Sequence, residues 1–223
     1  MLDLFSNTEE DMNKLPFEFP QSEGYSVQWN SELNGYVIHI PNGVLFYSER
    51  FFDKKISDRS VEYFLENDTL DAQVVGAWRA IDKEKLSRIN FKNIDWQHEQ
   101  INMYGKKVYQ PRYTAWYGDE DKDYRYSGIS MQPKSWNKGL LYIKKEIEKV
   151  ASVQFNTVLM NWYRDGDDHV SWHADDEKEL GKNPEIASVS FGETRRFLLR
   201  RNDDPSQKLE FPLQHGTLLI MSG

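Results

Sequence analysis

The spacing of apolar positions changes along the chain. Residues 1 to about 35 are polar and turn-rich and read as an N-terminal extension. After Ser57, Val61, Phe64 and Leu65 recur at helical spacing. Ser57 is placed to cap that helix and Ile56 to staple onto Val61. A second helix is expected after the turn at Pro133, where Leu140, Ile143, Ile147 and Val150 form one stripe. From residue 154 onward the period shortens. QFNTVLMNWY, IASVSFG, RRFLLRR and GTLLIM are short, β-branched or aromatic, and parted by polar turns. Helices followed by many short strands predict an α+β fold, a double-sheet jelly roll with the helices laid against one sheet. Residues 36–223 read as one domain, without an internal repeat.

Composition narrows the classes. A chain of 223 residues with 39% hydrophobic content can bury one substantial core. No run of eighteen apolar residues suggests a membrane span, and MLDLFSNTEEDMNKLPFEFP lacks the basic start and apolar block of a secretory signal. The absence of cysteine removes disulfides, thiolate metal sites and a cysteine nucleophile, and points to an intracellular setting. A net charge of −8, from 28 basic and 36 acidic residues, argues against coating nucleic acid mainly by electrostatics. It leaves room for a local basic strip. DEDKD (119–123) and DGDD (165–168) read as solvated loops. The second is not a calcium loop, because its glycine falls second and not sixth.

Three pairs at a spacing of two carry the candidate chemistry, since residues i and i+2 of an extended segment share a face. They are Tyr124 and Tyr126 in DYRYSG, Asn161 and Tyr163 in MNWY, and His173 and Asp175 in WHADD. Singly, each has an ordinary reading: core tyrosines, a satisfied buried amide, a polar loop with a histidine. Together they could line one cavity with a metal-ligand pair, an amide, a phenol and a stacking platform. His-x-Asp is also the first half of the two-histidine, one-carboxylate triad of non-haem iron oxygenases.

The stretch NWYRDGDDHVSWHADDEKELGKNPEIASVSFGETRRFLLR resembles the core of the AlkB dioxygenase family. YGKKVYQPRYTAWYGD and DYRYSG resemble the branch of that family that repairs double-stranded DNA. The likeness covers roughly residues 100–221, with a weaker match from about Asn42. It implies a double-stranded β-helix core from about residue 154 and a nucleotide-recognition lid at about 95–130. It implies that His173 and Asp175 are Fe(II) ligands and that Asn161 and Tyr163 bind 2-oxoglutarate. Asp176 would contact the exocyclic group of the damaged base, Tyr126 would stack the flipped base, and Tyr124 and Arg125 would flank it. Tyr104, Gly105 and Lys106 fall where the family carries a finger that fills the gap left by an extruded base; Arg112 is a second contact near the flipped site. Without the flanking matches, YGKK would read as a surface hairpin with ordinary lysines.

The implied reaction is oxidative dealkylation of 1-methyladenine and 3-methylcytosine. Hydroxylation of the N-alkyl group gives a hemiaminal, which falls apart to the repaired base and an aldehyde. Alkylated DNA is the expected partner, with RNA as an alternative; no membrane is expected, and the protein is read as a monomer. The rivals are a non-catalytic damaged-base-binding module and an RNA- or protein-directed oxygenase of the same fold. The resemblance also calls for a distal histidine ligand followed by two arginines six apart. The sequence stops at HGTLLIMSG, so the core is expected to be truncated and this form to bind iron weakly. His215 precedes a strand in the family register and is not the expected iron ligand. Arg195 and Arg201 come before any distal histidine and read as exposed strand residues.

Overall fold

A computed structural model describes residues 15–68, 81, 86–103, 105–120, 124–126, 129–131, 133–151, 153–175 and 180–223. The chain divides into two compact units, Met1–Val61 with Asn183–Gly223, and Glu62–Lys182. The described residues are mostly sheet, with two helices: α1 (Lys54–Leu65) and α2 (Lys138–Ile147).

The first unit is built on a five-stranded antiparallel sheet. Its strands are β1 (Ser26–Asn30), β2 (Gly35–Ile40), β3 (Gly43–Ser48), β14 (Thr217–Ser222) and β11 (Ile186–Ser190), in that spatial order. β14 lies between β3 and β11, and Thr217, Leu218, Leu219 and Ile220 are all buried, the run expected of a strand covered on both faces. A hairpin of β12 (Arg195–Arg200) and β13 (Lys208–Leu213) supplies the other half of the core. Leu209, Phe211 and Leu213 alternate inward from β13 and cluster with Val27, Ile38, Tyr47 and Leu219. The Tyr47 hydroxyl donates to the Pro212 carbonyl at 2.8 Å, and burial pushes its phenol above the usual range.

Three sequence expectations are corrected here. β1 lies inside the stretch read as an extension. Val27 is buried, and Phe17, Phe19 and Tyr25 pack against its cluster, so a polar average hid widely spaced apolar anchors. Strands β1–β3 also precede α1, so the chain does not run helices first. The first helix starts at Lys54, not after Ser57. The Asp53 carboxylate takes the Ile56 amide at 2.8 Å, which makes Asp53 the cap, and Ser57 is a buried residue within the helix.

The second unit has β6 (Tyr113–Gly118) at its centre, buried throughout. β10 (Thr157–Trp162) pairs with it antiparallel and β9 (Lys134–Ser135) parallel. Asn137 caps α2 by accepting the amides of Gly139 and Leu140, while Leu140 and Ile147 form its buried face. Val150 lies past the helix end, in a turn closed onto Ile147. Two hairpins complete the unit: β4 (Gln100–Met103) with β5 (Lys106–Tyr109), and β7 (Tyr124–Tyr126) with β8 (Ile129–Met131).

Candidate active site

β10 brings Asn161 opposite Thr114 of β6. Asn161 is exposed, and Arg112, one residue before β6 and only 6% exposed, donates from Nε to its Oδ1 at 2.9 Å. A guanidinium can only donate, so this bond fixes which way the amide points and aims its NH2 elsewhere. Tyr163 follows one residue past the strand end and is half-buried.

The next segment is not the solvated loop expected of DGDD. Asp168 is buried and forms a two-pronged pair with Arg164: Nε to Oδ2 and Nη2 to Oδ1, both 2.7 Å. The Arg164 amide donates to the same carboxylate at 2.9 Å. Burial pushes the Asp168 carboxyl up, but the Arg164 side chain and amide together outweigh it and hold the group below the usual carboxylate range. The Arg164 guanidinium lies 5.3 Å from the centre of the Tyr113 ring, and the His169 amide donates to the Pro111 carbonyl at 2.9 Å. The segment is thereby tied to the start of β6. Sequence reading missed these roles. The Arg-x-x-x-Asp spacing has no distinctive signal outside a helix, and a carboxylate run averages as solvated.

Beyond that anchor the chain turns outward. Val170 is 41% exposed and Trp172 46%. His173 and Asp175 are exposed too, and His173 Nε2 stands 3.4 Å from Asp175 Oδ1. The Ser171 carbonyl lies 2.8 Å from His173 Nδ1. A carbonyl can only accept, so Nδ1 donates there, and Nε2 is the ring atom turned toward the carboxylate. An imidazole nitrogen and a carboxylate oxygen at that distance share a cation, either a proton or a metal. Imidazole nitrogen and carboxylate oxygen suit a divalent first-row metal, and the carbonyl bond is the outer support such a histidine normally has. The pair therefore fits iron in donor type and in orientation. Among the described residues no group of three His, Cys, Asp or Glu side chains is placed to hold a metal.

The remaining expected site residues divide by what is described. Gly105 takes a φ of +77° in the two-residue connection between Met103 and Lys106, a left-handed conformation that glycine adopts without strain. Lys106 and Lys107 are exposed on β5. Tyr124, Arg125 and Tyr126 form β7, paired with Met131, Ser130 and Ile129. Tyr104 and Asp176 lie outside the described residues.

His215 precedes β14 as expected, and both of its ring nitrogens are engaged: Nδ1 accepts the Gly192 amide at 2.8 Å and Nε2 faces Asp58 Oδ1 at 3.1 Å. Arg195 and Arg201 are half-buried, not exposed. Arg201, one residue past β12, makes its own fork with Asp203.

Residues 79–223 match the family model described as the 2OG-Fe(II) oxygenase superfamily, and the chain belongs to that superfamily. Membership implies a jelly-roll fold, and iron with 2-oxoglutarate as the family's cofactor and co-substrate. The chain is 46% identical over 123 residues to the alpha-ketoglutarate-dependent dioxygenase alkB homolog 3 of Bos taurus, covering 51% of this chain and 42% of that protein. It is 41% identical over 130 residues to the DNA oxidative demethylase ALKBH2 of Homo sapiens (55% and 50%). The ALKBH2 of Arabidopsis thaliana is 35% identical over 159 residues (59% and 50%). These relatives bear out the AlkB resemblance and its DNA-repair branch. The chain spans about half the length of the curated relatives it matches. Among the described residues no helix is long and apolar enough to cross a membrane.

Proposed function

We propose that the protein is an oxidative demethylase of N-alkylated bases in DNA, with 1-methyladenine and 3-methylcytosine as substrates. The observation that carries this reading is the His173–Asp175 pair, with its ring oriented by the Ser171 carbonyl and its two donors 3.4 Å apart. His173 and Asp175 hold Fe(II), which with 2-oxoglutarate and oxygen supplies the oxidation of the N-alkyl group. Asn161, held by Arg112, and Tyr163 orient 2-oxoglutarate by hydrogen bonding. The Arg164–Asp168 anchor keeps the loop from Tyr163 to His173 in place.

On the substrate side, Tyr126 stacks the flipped base, Tyr124 and Arg125 flank it, and Asp176 reads its exocyclic group. Tyr104 fills the gap, Gly105 permits the turn and Lys106 meets phosphate, so the β4–β5 hairpin acts as the finger. Arg112, given its bond to Asn161, serves the co-substrate more directly than DNA. The two hairpins belong to a recognition lid at about 95–130, and the family core is a double-stranded β-helix. The protein works as a monomer inside the cell.

The test is formaldehyde release from methylated oligonucleotides by the full-length protein and its variants. His173→Ala or Asp175→Ala is expected to abolish it, and Tyr104→Ala to impair duplex more than single-stranded substrate. Unchanged turnover in either ligand variant would remove the oxygenase reading.

A further inference from the structure

The face of the β4–β5 hairpin carries an aromatic column that no role above uses. Gln100 pairs with Tyr109, and His98 lies two residues before Gln100, on the same face and diagonal to Tyr109. The His98 ring stacks on Tyr109 at 4.6 Å and 26° and on Tyr113 at 4.5 Å and 15°. Its Nε2 faces the Gln110 carbonyl at 2.9 Å, so it donates there and the ring cannot rotate freely. The Arg164 guanidinium covers Tyr113 in turn. One end of the column is buried, with Tyr113 4% exposed; the other is open, with Tyr109 56% exposed. A tyrosine so clamped on one face and open on the other is a pre-ordered stacking surface, with little rotamer entropy left to lose.

The surroundings choose the occupant. Lys107 is exposed and stands two residues before Tyr109 on the same face, about 6.8 Å along the strand. A flat apolar ring and a single cation at that separation match a base and its phosphate, and stacking accepts any base. Resting on the reading of this protein as one that acts on DNA, we propose that Tyr109 is a second stacking platform. It takes an unpaired base of the strand flanking the processed nucleotide, with Lys107 on the adjoining phosphate.

The experiment measures binding of the full-length protein to unmodified single-stranded oligonucleotides by fluorescence anisotropy, with an abasic site walked through the sequence. Tyr109→Ala is expected to weaken binding roughly 5- to 150-fold, the range for one lost base stack, while Tyr109→Phe stays within about twofold. An abasic site at one position should cost the wild type that same factor and cost Tyr109→Ala almost nothing. Lys107→Ala should lower the salt slope by about 0.7, and Tyr109→Ala should leave it unchanged. Normal DNA binding with Tyr109→Ala equal to wild type, or an abasic penalty equal in both, would overturn the platform and spare the proposed function. Tyr109→Ala changing self-association instead of DNA affinity would also overturn it. A wild type that binds no oligonucleotide would sink both.

Discussion

Residues 164–169 and 171–175 are neighbours in sequence and opposites in construction. In the first segment a carboxylate is buried and satisfied from three directions by Arg164. In the second, a carboxylate and an imidazole stand exposed and face each other at 3.4 Å. Both segments hold aspartate, and both hold a histidine whose Nδ1 lies 2.8 Å from the carbonyl two residues before it, His169 on Asp167 and His173 on Ser171. The difference lies at the other nitrogen. Among the described residues, only His173 of this pair has a carboxylate at Nε2. A segment with satisfied charges serves stability. One whose imidazole and carboxylate face each other at the surface is open to a ligand.

The largest expected effect breaks the anchor. Removing one member of a buried ion pair strands the other charge, so Arg164→Ala or Asp168→Ala should lose about 3–5 kcal/mol of unfolding free energy. Urea denaturation followed by tryptophan fluorescence measures it, and replacing both residues with apolar side chains of similar size should recover most of the loss. The same pair sets a pH dependence. The folded pKa of Asp168 is lowered, so its contribution is present above the unfolded value of about 3.9 and is lost as pH falls through the folded value. Asp168→Asn should flatten that acid limb of the stability profile. A loss below about 0.5 kcal/mol would make the segment an ordinary surface loop.

A smaller effect sharpens the open side of the comparison. Arg112→Leu removes the bond that orients Asn161 without touching the metal pair. It should raise the KM for 2-oxoglutarate about 5- to 150-fold, the equivalent of 1–3 kcal/mol, with iron affinity unchanged. A fall in iron affinity instead would mean that Arg112 supports the metal loop. Steady-state kinetics and an iron titration on the same preparation separate the two outcomes.

How much of this was legible in the sequence follows the same division. The second half of the chain declared itself through short strands, and β10, β11, β12 and β14 fall where QFNTVLMNWY, IASVSFG, RRFLLRR and GTLLIM lie. His-x-Asp was visible because metal chemistry demands particular residue types at a fixed spacing. The Arg164–Asp168 pair was not, since nothing in RDGDD tells a buried aspartate from its solvated neighbours. Burial there depends on β6 and Pro111, roughly fifty residues away in sequence. β1 was missed for a related reason: Phe17, Phe19 and Val27 are too widely spaced to form a local period and gain their meaning only from Tyr47 and Phe211. The cap at Asp53 was a local misreading, as two acceptable capping residues stood four apart and the earlier one carried the geometry.

The central claim is that His173 and Asp175, and not the other polar groups of this loop, receive the metal. Co(II) titration of the full-length protein under anaerobic conditions, read through its visible ligand-field absorption, tests it with three variants. His173→Ala and Asp175→Ala should each abolish the saturable spectrum, while His169→Ala, whose ring has the same carbonyl bond but no facing carboxylate, should titrate as the wild type does. A spectrum that survives both His173→Ala and Asp175→Ala, or one that disappears with His169→Ala, would contradict the account.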